Sequence, residues 1–236
     1  MNLSRLLSFI PTLLITATTV FAQTGTLKVY VSPPSAQSTT VSGITTETFD
    51  SLSAGVKTAA FSSAIGTYTG SSTNPFGILA PDVFGGATDS SHTSPTNYFA
   101  VGKASNSTSL VSLTLTHPAA YFGFWWSAGD AANRVDLYQG STLLATFSTQ
   151  DLLNFLNASS TITALNGTTT YQTSAYFGNP NIASGSKDGT EPFVYVSFAI
   201  TGATIDKLAF YNLNTSSSFE SDNHSVIFNG NTVTIP

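Results

Sequence analysis

The sequence predicts an all-β protein: an antiparallel two-sheet jelly-roll-like sandwich with one short helix. Three observations predict it. Short runs rich in Val, Thr, Tyr and Phe recur between clusters of turn residues, at the spacing of sandwich strands. Only 8% of residues are charged, so the Lys, Arg and Glu that support surface helices are scarce, while Thr and Val favour strands. No repeat of fixed period is visible, which sets aside propellers and solenoids.

Residues 1–22 read as a secretory signal peptide: Arg5 supplies the positive start, 6–20 is apolar, and Val20 and Ala22 are small residues at a cleavage site. Residues 23–44 read as an N-terminal strand (27–31) and a Pro-containing linker, and 45–236 as a single β-sandwich domain. The domain opens at 45–50 (TTETFD). Strands are then expected near 58–62 and Tyr68, followed by a long polar connection over 70–96 that holds an apolar patch at 76–84. The later strands are 97–101, 110–116, 120–127, 134–138, 143–148, 194–200, 204–211, 218–223 and 225–228, with turns at His117-Pro118, 128–130 and Gln139-Gly140. The one helix is 150–156 (QDLLNFL), with Thr149 as its cap and Asp151 at its positive end. A polar excursion fills 159–188.

Composition excludes several classes. The chain of 236 residues has no cysteine, so disulfide scaffolds, zinc fingers and Cys-nucleophile enzymes are out. A net charge of −5 leaves no basic footprint for nucleic acid. After signal cleavage no stretch reaches the ~18 apolar residues of a membrane span, so no transmembrane anchor is expected. An exported chain without disulfides fits a bacterial secreted or cell-surface protein.

Four segments carry a resemblance: 97–102 (NYFAVG), 121–126 (YFGFWW), 135–138 (VDLY) and 219–224 (FESDNH). In this order they resemble the bacterial exosortase-dependent surface proteins of the PEP-CTERM class. The resemblance implies a jelly-roll-like ectodomain in a surface or matrix protein. The chain ends Thr-Val-Thr-Ile-Pro236, without that family's Pro-Glu-Pro motif, apolar span and basic tail, so simple secretion is expected rather than exosortase sorting.

Chemistry has few places to reside. Glu47 and Asp50 lie on the opening strand, and Glu220 and Asp222 near the closing one. First and last strands of a jelly roll are often neighbours, so these acids, with the Asn223 carbonyl, form a candidate site for a structural Ca²⁺. Strict alternation puts Asp222 on the face of Val226 and Phe228. The competing reading is that these side chains cap backbone amides. Residues 220–225 also carry half of a glycosidase pattern, Glu-x-Asp-x-x-Glu, but Ser225 stands where the second Glu belongs, so one of the paired carboxylates is missing.

Trp125 and Trp126 point to opposite faces of one strand. An exposed Trp125 beside Asp130, Asn133 and Arg134 would make a sugar-binding patch. The alternative packs Trp125 beneath a loop and pairs Arg134 with Asp136 or Asp130. His92, His117 and His224 show no metal spacing, and neither H-E-x-x-H nor G-x-S-x-G occurs. The leading expectation is a secreted, non-catalytic surface or matrix protein whose partner is a polysaccharide or envelope component. A carbohydrate-binding module is the alternative, and a glycoside hydrolase using Glu220 and Asp222 the third.

Overall fold

The computed structural model describes residues 25–81, 84–88, 96–102, 110–165, 167–181, 188–214 and 216–229. The predicted leader, His92 and residues 232–236 lie outside them.

The chain is all-β, as predicted, with a two-layer antiparallel arrangement built around one long strand. β8 (Leu110–Ser127) runs through both layers. Its first half pairs with β5 (Gly66–Thr69) on one side and β14 (Ile205–Asn212) on the other. Its second half pairs with β13 (Val194–Thr201) and β15 (Ser218–Phe228). The expected turn at His117-Pro118 is instead a bend inside this strand. Pro118 lacks an N–H, so regular pairing lapses there without orphaning a donor. The β14 register slips between Ile205 and Lys207 at the same level. A strand that changes sheets through such a bend is how sandwiches make corners.

One layer continues from β14 to β9 (Asn133–Gln139) and β10 (Thr142–Ser148), and from β5 to β4 (Phe61–Ser62). The other continues from β13 to β1 (Thr26–Val31), and from β15 to β2 (Thr45–Glu47) and β7 (Tyr98–Gly102). From β7 it reaches β6 (Phe76–Leu79) and β3 (Gly55–Lys57). The N-terminal strand is therefore paired along its whole length, and Val31 is in the core. The apolar patch within the long connection is itself a strand, β6. Inside the polar excursion, β11 (Thr161–Thr163) and β12 (Thr170–Gln172) form a separate two-stranded sheet. The helix α1 (Thr149–Asn157) stands where expected, but its cap is Ser148. The Ser148 hydroxyl accepts from the Asp151 N–H, and the Asp151 carboxylate accepts from the Ser148 N–H. Thr149, the expected cap, is instead buried in the first turn, and Leu152 and Leu156 enter the core.

The two layers meet through aromatic rings. Phe210 on β14 touches Phe99 on β7, Phe122 and Phe124 on β8, and Phe219 on β15, at centroid distances of 5.4 to 6.2 Å. His224 sits among them, fully buried, within 5.0 to 5.9 Å of six rings: Phe49, Tyr68, Phe99, Phe122, Phe124 and Phe210. Burial holds its imidazole down to about 3, so it is neutral across the physiological range. Nδ1 bonds the Tyr68 hydroxyl at 2.8 Å and Nε2 the Ser221 hydroxyl at 2.9 Å, which satisfies both ring nitrogens in an apolar setting.

The outer face of the β13–β8–β15 layer is buried as well. There Trp125 packs with its strand neighbour Tyr195 and the loop residues Ala87, Ala128 and Phe193, and Tyr121 with its strand neighbour Ile227 and the loop residues Val41 and Leu165. Trp126 faces the main core. Gly123 lies between these covers because a Cβ there would stand 2.5 Å from the Tyr121 hydroxyl and 2.9 Å from the Tyr195 ring.

Replacing His224 by Phe keeps the ring but orphans the hydroxyls of Tyr68 and Ser221. The expected cost is about 2–5 kcal/mol in urea unfolding, from two unsatisfied buried groups. Adding Tyr68→Phe and Ser221→Ala should restore much of it. In the native chain the His224 contribution is complete above about pH 6.5 and is lost as pH falls toward 3, because only the unfolded state takes up the proton. A His224→Phe variant lacks that part of the acid dependence; an unchanged pH profile would contradict the assignment.

Candidate functional site

The predicted acids come from β2, the turn after it, and β15. β2 lies antiparallel to the end of β15, with Glu47 opposite His224 and Thr46 opposite Ser225. First and last strands of the domain are therefore neighbours, as the sequence suggested.

A β-bulge decides where the acids of β15 point. Asp222 to Ser225 on β15 span the partners Trp125 to Gly123 on β8, one residue more than the pairing needs. Asn223 takes up the excess with a φ of 50°. The alternation flips at that residue. Ser221, His224 and Val226 face the main core, while Asp222, Ser225 and Ile227 face the outer side. Strict alternation had placed Asp222 with Val226 and Phe228; the bulge puts it with Trp125 instead.

Asp222 is fully buried there and well supplied with donors. Oδ2 accepts from the Ala87 N–H at 2.8 Å and the Thr96 hydroxyl at 3.1 Å, and Oδ1 accepts from the Asn223 N–H at 2.7 Å. Burial outweighs these donors and pushes the carboxyl up to about 8. Glu47 bends back to accept from the Phe49 N–H at 2.6 Å, and burial raises it too. That bond holds Phe49, whose φ is 58° and whose ring is fully buried in the core. Glu220 is half-buried further along β15, opposite Ala100 and Ser127. Asp50 is near enough to raise both Glu47 and Asp222, but the Glu47 and Asp222 carboxylates are turned to different backbone amides. Among the described residues no group of three or more His, Cys, Asp or Glu is placed to hold one metal ion. Asp222 and Glu47 instead bind backbone amides, the competing reading of the sequence.

Asp50 and Asn223 do share a place. They line a cleft of about 240 Å³ between the β2–β15 edge and the loops that carry Gln37, Thr88 and Thr96. Sequence reasoning selected the two residues but not the cleft, because Ser38, Ile44 and Thr48 on its walls carry no pattern of their own.

The expected sugar patch is not assembled. Trp125 is not exposed: its relative accessibility is 0%, packed with Phe193 and its cross-strand neighbour Tyr195. Asn133 is buried and locks the strand end, with Nδ2 donating to Asn212 Oδ1 and the Ser218 carbonyl, and Oδ1 accepting from the Asp130 N–H. Arg134 lies on the outer face of the opposite layer, paired with Asp136 at 3.1 Å and stacked 4.1 Å over Tyr211. The strand's aromatic run Tyr-Phe-Gly-Phe-Trp-Trp serves burial on both faces of β8. Asp130 meets two acids that the sequence reading passed over, Asp188 and Glu191; burial and the neighbouring Asp188 push Glu191 up to about 7.

Asp222→Asn replaces an acceptor oxygen by a donor, so one of the N–H groups of Ala87 and Asn223 loses its partner. The expected cost is about 1–3 kcal/mol in denaturant unfolding, with faster amide exchange at Ala87 or Asn223. Full stability with unchanged exchange at both amides would show that the carboxylate does not hold the loop.

The chain matches no protein-family model, and no curated protein is similar to it.

Proposed function

We propose that this chain is an exported, non-catalytic β-sandwich of the bacterial cell surface or extracellular matrix. The observation that carries the reading is the employment of its acids. The half-motif residue Asp222 is buried under three donors, and Ser225, in the place of a second carboxylate, bonds the Thr46 hydroxyl at 2.8 Å. Acid–base work on a glycosidic bond needs two carboxylates facing a substrate. Here Asp222 serves a loop, and Ser225 stands where the pattern places the second carboxylate. The signal-like residues 1–22 support export, and the Ser- and Thr-rich composition, with 8% charged residues, suits a surface that holds water through neutral hydroxyls.

Expression of the full chain in a bacterial host should place it in the surface or extracellular fraction, with an intact mass that starts at Gln23. Retention of the uncleaved chain in the cytoplasm would refute export. Release of reducing sugar from a polysaccharide panel, abolished in Glu220→Gln, would refute the non-catalytic part.

A further inference from the structure

The cleft beside β2 and β15 is built differently from the rest of the polar interior. Around it, polar side chains are bonded from one segment to another. Gln37 accepts from the N–H and hydroxyl of Thr88, and the Asn223 amide donates to the Gln37 carbonyl at 2.9 Å. Four groups on the cleft wall, Ser38 and Asp50 exposed and Thr48 and Asn223 half-buried, keep hydrogen-bonding capacity that faces solvent. Asp50, Ser38 and Thr48 make no side-chain hydrogen bond among the described residues, and Asn223 uses its amide N–H but not Oδ1. Together they present a carboxylate, an amide oxygen and two hydroxyls.

This set is rich in acceptors and carries a single charge. A ligand that matches it brings several O–H donors, little or no charge and a small apolar face. A carboxylate can take two hydroxyl donors from adjacent carbons, hydroxyls can give and accept, and Ile44 in the wall offers a contact for C–H groups. The volume, about 240 Å³, lies below the ~300–1,000 Å³ of sites for drug-sized ligands and suits one ring rather than a buried chain. We propose that the Asp50–Asn223 cleft binds a neutral saccharide unit through its hydroxyls.

The backbone around the cleft is fixed for such a role. Asp50 follows Phe49, a bulky residue at φ 58°, and Asn223 is itself at φ 50°. Such residues persist only where their surroundings hold them. Phe49 is held by its buried ring and by Glu47. Asn223 is held by Asp222 through its N–H and by Gln37 through its side chain. The Asn223 Oδ1 is thus preset before a ligand arrives, while at Asp50 it is the backbone that is fixed and the carboxylate stands exposed. The proposal goes beyond the surface role above and does not depend on export, since binding is measured on the purified chain.

The test is a titration of the purified protein with D-glucose, D-galactose, D-mannose and N-acetyl-D-glucosamine, followed by amide NMR shifts. At least one sugar should shift Thr48, Asp50 and Asn223 saturably, with a Kd on the order of millimolar. Asp50→Ala should weaken it about tenfold or more, the scale of a lost charge-assisted hydrogen bond. Asp50→Asn, which keeps one acceptor, should fall between. Asp50 is exposed and unbonded, so both variants should melt with the native chain; if Asp50→Ala does not fold, Thr48→Ala takes its place. No saturable shift with any of the four sugars would overturn the proposal, as would undiminished binding in Asp50→Ala. So would CaCl₂ alone shifting these residues while the sugars do not, which would make the cleft an ion site.

Discussion

The single extra residue in β15 is the constraint on which the rest depends. Without the bulge at Asn223, the strand would carry Asp222 and His224 on one face, and one of them would stand in the wrong environment. With it, His224 enters the aromatic core as a neutral ring with both nitrogens satisfied. Asp222 turns the other way and gathers the 84–88 loop over Trp125. Asn223 itself is left at the surface between them, facing the cleft. One register irregularity thus links the core, the outer cover and the candidate site, which is why Asp222, Asn223 and His224 follow one another in the chain.

The central layer is buried on both faces, and that shapes the chemistry available. A sheet covered on one side reads as alternating polar and apolar residues, whereas a doubly covered one reads as a continuous apolar run. The segment 119–126 (AAYFGFWW) is of the second kind. Polar groups under such a cover need partners close by. Hydroxyls and amides provide them: Tyr121 with Ser197, the Tyr176 hydroxyl to the Ser32 carbonyl, and Gln37 to Asn181 and Thr88. The abundance of Ser and Thr and the scarcity of charge therefore have an internal cause as well as a surface one.

Most strands were legible because period, turn residues and β-branched content agree over 97–101, 134–148 and 194–211. That Trp125 and Trp126 face opposite sides of one strand also follows from alternation, whereas the burial of Trp125 does not. Three features did not follow. His117-Pro118 has the residues of a turn, and only the tertiary demand for a shared strand makes it a bend. β6 is hidden in a Gly- and Ser-rich connection because its residues Phe76–Leu79 carry no alternation. The bulge leaves no mark in sequence except Asn at a position where φ is positive, and Asn is common elsewhere in this chain. The acids of the site were found by their rarity; which carboxylate stays free depends on the bulge and on Phe49, and so lies beyond the reach of pattern.

Burial of both tryptophans bears on how such a protein could hold a glycan. Aromatic platforms raise affinity by stacking, and this chain has given its largest rings to packing. A cleft of a few preset acceptors recognises a ring by the direction of its hydroxyls and binds it weakly. Weak binding is adequate where many copies are displayed on one surface, because each bound copy raises the effective concentration of the next. The proposed surface role and the proposed cleft are then mutually consistent: a display protein needs a rigid body and modest contacts. Both fit a sandwich whose buried acids Asp222 and Glu47 are already engaged with backbone amides.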